Sequence, residues 1–197
     1  MSFLLGLTGS IGMGKTTTAR MFADAGIPVW DADVAVHRLY AAQGAAVPMI
    51  EALYTEVIDN GTVSRPKLRA LIAANPTALD QIQSIVHPLV AADRAAFLAD
   101  QTADIILLDI PLLFETGADA QCDAVVVVSV PAALQRHRVL DRGSMTGAEL
   151  DLILSRQMPD SEKRSRADYV IDTTTLDAAR VAVQNLLAHI RGKQAHA

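Results

Sequence analysis

Apolar positions along the chain follow two different rhythms. Phe3 to Thr8 is a short apolar run with Gly6 inside it and turn residues after it, which predicts a fully buried strand. Lys15 to Ala25 has helical spacing, with Met21, Phe22 and Ala25 on one side, and Gly26 stops it. Ile27 to Trp30 reads as a second short strand, Asp31 to Asp33 interrupts, and Val34 to Ala42 returns to a helical period. From there to about Gln101 the pattern is almost all helical. Pro48, Gly61, Pro66, Pro76 and Pro88 punctuate it, and Asn60-Gly61 marks a turn. Ile105 to Ile110 and Ala124 to Val130 are apolar without alternation, as in parallel strands covered on both faces. Ala132 to Leu140 and Gly147 to Met158 read as helices. Tyr169 to Ile171 reads as a last strand and Leu176 to Ile190 as a closing amphipathic helix, with a frayed tail from Arg191.

Strands alternating with helices predict an α/β fold with a mainly parallel sheet. The helical stretch from about Asp33 to Gln101 reads as an insertion packed beside it.

Composition narrows the class. The chain has 197 residues, 51% hydrophobic and 20% charged, which excludes a disordered chain and is ample for one packed domain. A single cysteine excludes an internal disulfide framework and fits a reducing, cytoplasmic setting. No apolar run approaches the ~18–20 residues of a membrane span. Met1 to Leu7 lacks the basic start of a signal peptide. A formal charge of −5 and a pI near 5.4 argue against a nucleic-acid-binding protein. Among the 17 basic residues arginine outnumbers lysine 13 to 4, and Arg136 to Arg166 forms a basic island.

The strongest chemical signal follows the first strand. Gly9-Ser10-Ile11-Gly12-Met13-Gly14-Lys15-Thr16 fits G-x-x-x-x-G-K-[ST] and lies between a strand and a helix, the context this motif requires. Glycines let the backbone curl so that successive N–H groups face phosphate oxygens. The helix N-terminus adds its positive end. Gly12, Met13, Gly14, Lys15, Thr16 and Thr17 are the candidate nucleotide-binding residues. Lys15 would bring charge to the β- and γ-phosphates, and the Thr16 hydroxyl would reach Mg2+.

Asp31 and Asp33 follow the second strand, at the rim where an open parallel sheet meets its ligands. One could accept a proton from a hydroxyl nucleophile and the other support the metal. Alternatively, Asp33 only caps the next helix. Asp109, at the end of the third strand, could support the metal or cap the strand. Glu115 reads as ordering the loop after Pro111. His87, preceding Pro88, reads as extended backbone at a helix start, with a polar turn residue as the alternative. The basic island would bring charge over a transferred phosphoryl group, or is a solvated face of mixed charge. Gly143 and Gly147 bracket a short loop there that reads as a hinge.

Taken together, Leu7 to Thr16, Asp31-Ala32-Asp33, Val86-His87-Pro88-Leu89, Ile110 to Glu115, and Arg156-Gln157-Met158 through Glu162-Lys163-Arg164 to Asp172 resemble the dephospho-CoA kinases. The resemblance spans nearly the whole chain. It implies a P-loop NTPase-type parallel five-stranded sheet with helices on both faces, a helical substrate-binding insertion and a helical lid. The implied boundaries are a core of about 1–32, 103–135 and 168–197, an insertion of about 33–102 and a lid of about 136–167. The implied activity is ATP-dependent phosphorylation of the ribose 3′-hydroxyl of dephospho-CoA, the last step of CoA synthesis, with ATP and Mg2+. Asp33, Lys15 and Arg142 would be catalytic. Asp33, Arg65, His87 and Pro88 would bind the acceptor, and Thr16, Asp31 and Asp109 would serve the metal. The small-molecule substrate would be the partner of a monomer or small homo-oligomer. Thr173-Thr174-Thr175 stands where relatives carry Asn and then Gly, near the adenine. Other small-molecule P-loop kinases, acting on nucleosides, nucleotides or shikimate-like acceptors, and a nucleotide switch are the alternative readings. The switch lacks an N-K-x-D motif.

Overall fold

Ile105–Asp109 and Ala124–Ser129 are buried at every position, as strands covered on both faces must be. They form part of a computed structural model that describes residues 2–143 and 145–195. In chain order the elements are β1 (Phe3–Thr8), α1 (Lys15–Asp24), β2 (Val29–Asp31), α2 (Ala32–Tyr40), α3 (Val47–Glu51), β3 (Ile58–Asp59), β4 (Thr62–Val63), α4 (Arg65–Ala74), α5 (Thr77–Ala99) and β5 (Ile105–Asp109). They continue with β6 (Ala124–Ser129), α6 (Ala132–Asp141), α7 (Gly147–Arg156), α8 (Asp160–Arg166), β7 (Tyr169–Asp172) and α9 (Leu176–Gln194). The chain divides into two compact units, Met1–Trp30 with Thr102–Ala197, and Asp31–Gln101.

The first unit carries a five-stranded sheet of order β2-β5-β1-β6-β7. β1 runs parallel to β5 and to β6, and β6 parallel to β7. Apolar side chains alternate to the two faces. Leu5, Leu7, Ile105, Leu107, Val126 and Val128 meet Ala19 and Phe22 of α1 and Val183, Leu187 and Ile190 of α9 in one core. On the other face Gly6 lies so close to Leu113 and Cys122 that a Cβ there would sit 2.8 Å from the Cys122 sulfur. α8 lies against β6. α9 runs on to Gln194 rather than fraying from Arg191. The Arg191 guanidinium donates to the Asp104 carboxylate at 2.7 Å and holds that last turn.

The second unit has its own core, built from Leu39, Ile50, Val57, Leu68, Ile82, Ile85 and Val86 among others. The stretch is not helical throughout: β3 and β4 form an antiparallel hairpin pairing Ile58 with Val63. Asn60 and Gly61 both take positive φ at its turn (48° and 72°), the requirement of a tight two-residue hairpin. Each strand has only two residues, too few to show a period. His87 and Pro88 do not start a helix; they lie inside the 23-residue α5. An internal proline costs about 3 kcal/mol or more. The packed face of Ala78, Ile82, Ile85 and Val86 offsets that cost and overrides the local preference for extended backbone.

Among the described residues, no helix is long and apolar enough to cross a membrane.

Candidate active site

The loop between β1 and α1 builds the centre of the site. Gly14 occupies the N-cap of α1 at φ 90° and ψ 13°, a conformation that side chains other than glycine's strain to adopt. Lys15 follows as the first helical residue, so its amine leaves from the positive end of the helix. Thr16 and Thr17 are exposed beside it. Met13 turns inward instead: its side chain is 2% exposed, and its sulfur accepts the Val130 N–H at 3.2 Å.

The Lys15 ammonium donates to Asp109 Oδ1 at 2.7 Å, with side chains 16% and 3% exposed. Asp109 is the last residue of β5, beside β1 in the sheet. In this structure its carboxylate meets the loop lysine, a pairing that sequence reasoning missed. Its signal was available: two strands adjacent in a parallel sheet end on the same rim.

A cavity of about 330 Å³ opens beside the loop. Gly12, Gly14 and Thr17 line one wall, Arg138, Asp141 and Arg142 another, and Thr173, Leu176 and Ala179 a third. The Arg138 guanidinium donates to the Thr173 and Thr174 carbonyls at 2.9 and 3.1 Å. Asp172 accepts from the Thr174 hydroxyl and from its backbone N–H at 2.7 Å, and both bonds hold its carboxyl below the usual range. Thr175 caps α9 through the Ala178 N–H. The side chains of Asp172, Thr174 and Thr175 therefore close this loop locally.

The basic island is less available than its count suggested. Arg136 pairs with Asp151, Arg164 with Asp160, Arg166 with Glu162, and the fully buried Lys163 with Glu115 at 2.7 Å. Arg142, at the C-cap of α6, is the arginine from the resemblance that lines the cavity. Glu115 also accepts the Met158 N–H at 2.9 Å. Burial opposes its charge, but the Lys163 ammonium and that N–H outweigh burial and lower its pKa. Glu115 thus joins the loop after Pro111 to the α7–α8 corner. α7 begins with a capping box, in which Thr146 and Glu149 satisfy each other's backbone N–H. Thr146-x-x-Glu149 was the signal for it.

In the second unit, Asp31 caps α2 by accepting the Val34 N–H at 3.0 Å, so the cap falls to Asp31 and not to Asp33. Asp33 is exposed in the first turn. Arg65 is exposed at the start of α4. Burial raises the Tyr40 pKa and the Arg65 charge opposes the rise. His87 and Pro88 are exposed in α5.

The Thr16 hydroxyl and the Asp109 carboxylate of the first unit, and the Asp31 carboxylate of the second, are each hard oxygens. A few such groups plus phosphate oxygens and waters are what Mg2+ takes.

A family model described as dephospho-CoA kinase matches residues 3–178. The chain is 59% identical over 189 residues to a dephospho-CoA kinase of Cereibacter sphaeroides, covering 96% of each chain. A crystal structure of a Thermus thermophilus protein superposes with a TM-score of 0.86 at 30% identity, over 95% of this chain and 97% of that one. A dephospho-CoA kinase from Campylobacter jejuni has the same fold, with a TM-score of 0.73 at 22% identity over 98% and 100% of the two chains.

Proposed function

The chain belongs to the dephospho-CoA kinase family, and we propose that it transfers the γ-phosphoryl group of ATP to the ribose 3′-hydroxyl of dephospho-CoA in the cytoplasm. The observation that carries this reading is the 59% identity over 96% of both chains. The phosphate loop supports the ATP half independently. Its strand–loop–helix placement, its lysine and the adjoining cavity suit a nucleoside triphosphate.

The residues divide the work. N–H groups of the loop and the Lys15 ammonium bind the β- and γ-phosphates, where charge develops. Lys15 leaves its contact with Asp109 or shares it as the triphosphate enters. Arg138 and Leu176 line the cavity beside the loop, which would take the adenine. Arg142 approaches the transferred group from the lid, a segment of about 136–167. Asp33 takes the proton of the acceptor hydroxyl, a task its place outside the capping bond of α2 leaves open. Arg65, His87 and Pro88 belong to the helical insertion of about 33–102 and bind the acceptor. Thr16, Asp31 and Asp109 would hold magnesium, which supplies charge neutralisation on the β- and γ-oxygens.

An ATP-consumption assay with dephospho-CoA, adenosine, AMP and shikimate tests the reading. Turnover that depends strictly on dephospho-CoA supports it. Comparable turnover with shikimate or a nucleoside overturns it.

A further inference from the structure

We propose that Gln135 and Thr173 are positioning residues that hold two peptide groups of the phosphate loop with their N–H sides toward the phosphates. The Thr173 hydroxyl donates to the Met13 carbonyl at 2.6 Å. The Gln135 side-chain amide donates to the Ile11 carbonyl at 2.8 Å. Both side chains are buried, at 6% and 5% exposure, and both lie outside the loop and its helix.

A trans peptide is planar, with its C=O and N–H pointing in opposite directions. Fixing the Met13 carbonyl therefore fixes the Gly14 N–H, and fixing the Ile11 carbonyl fixes the Gly12 N–H. These are the two peptides most able to turn over. Gly12 and Gly14 sit at φ 80° and 90°, and glycine tolerates either sign of φ. A turned peptide would aim a carbonyl dipole at a polyanion in place of a donor. The residue between the two glycines is anchored as well, through the Met13 sulfur and the Val130 N–H.

The two fasteners are themselves joined. Gln135 is on α6, and Arg138, three residues on, donates to the Thr173 and Thr174 carbonyls. α6 also presses directly on the loop: a Cβ at Gly12 would lie 2.5 Å from Val139 Cγ2 and 3.2 Å from the Gln135 carbonyl oxygen. Helix α6 and the loop after β7 thus set the loop's donor pattern before any nucleotide enters.

The inference rests on the ATP-binding reading and is tested by affinity rather than turnover alone. Thr173→Val keeps the shape and removes the donor, and Thr173→Ser keeps the donor. Gln135→Met removes the amide at similar length. ATP dissociation constants, the KM for dephospho-CoA and thermal midpoints are measured for each. Thr173→Val and Gln135→Met should each weaken ATP about tenfold, the worth of one hydrogen bond. The dephospho-CoA KM should stay within about twofold, and Thr173→Ser should recover wild-type ATP affinity. Unchanged ATP affinity in both donor-less variants overturns the inference. So does an equal loss for both substrates with a lowered midpoint, or a failure of Thr173→Ser to restore affinity. If the wild-type protein itself binds no ATP, the nucleotide reading falls first and this inference with it.

Discussion

At the scale of single residues, two side chains separate catalysis from architecture. Asp33 sits beside a helix start whose cap is Asp31. Asp33→Asn should therefore lower kcat by about 100-fold or more while the thermal midpoint holds. Retained kcat with a lowered midpoint would return Asp33 to a helix-start role. Arg142 borders the cavity. Arg142→Ala should depress kcat more than ATP affinity, read by comparing turnover with direct ATP binding. A change confined to ATP binding would place the guanidinium on the nucleotide and away from the transferred group. Lys15 was legible because its motif fixes both type and spacing. Its partner Asp109 was legible as a strand-end carboxylate but not as the partner of the loop lysine, since the two stand 94 positions apart and share no local signal. Gln135 had no signal at all, since a buried amide on a helix reads as ordinary polarity until its carbonyl partner is seen, and Thr173 stood out only as a departure from relatives.

At the scale of elements, the corner between α7 and α8 depends on one partly buried ion pair. Lys163 is 0% exposed and the Glu115 side chain 18%. Removing one partner of such a pair leaves a buried charge uncompensated. Glu115→Ala should cost about 3 kcal/mol, the low end for a buried pair because Glu115 reaches solvent. Denaturant unfolding of the two proteins at neutral pH measures it. The pH dependence has a definite sign. The folded pKa of Glu115 lies below its ordinary value near 4.5. Its contribution is therefore complete above that value and is lost as pH falls through the lowered one. The stability gap between wild type and Glu115→Ala should narrow under acid; a constant gap would assign the loss to packing. α9 was plain from sequence because burial on one face imposes a period, and β5 and β6 because burial on both faces leaves an unbroken apolar run. The hairpin of β3 and β4 was not, and Pro88 read as a boundary because tertiary packing overrode a local rule.

At the scale of the whole molecule, a chain of formal charge −5 is read as a binder of polyanions. On that reading the attraction is local, from loop N–H groups, Lys15 and Arg142, since most of the basic island is paired with acids. ATP at about 100 times its dissociation constant should raise the thermal midpoint by about 5–10 °C. Lys15→Ala should abolish turnover and most of that shift, as thermal melts with and without ATP would show. A full shift in Lys15→Ala would move the phosphates away from the loop. The strand order carries a consequence for synthesis as well. β1 has its register partners at Ile105–Asp109 and Ala124–Val127. They leave the ribosome about 100 residues later, a wait of roughly 5–20 s at ordinary elongation rates. During that wait Leu4 to Leu7 is an apolar strand without neighbours, a natural client for a holding chaperone. Residues 31–101, continuous in sequence and with a core of their own, can fold meanwhile. The nascent protein should therefore assemble from its middle outward, with the phosphate loop, translated among the first residues, among the last parts to take its working shape.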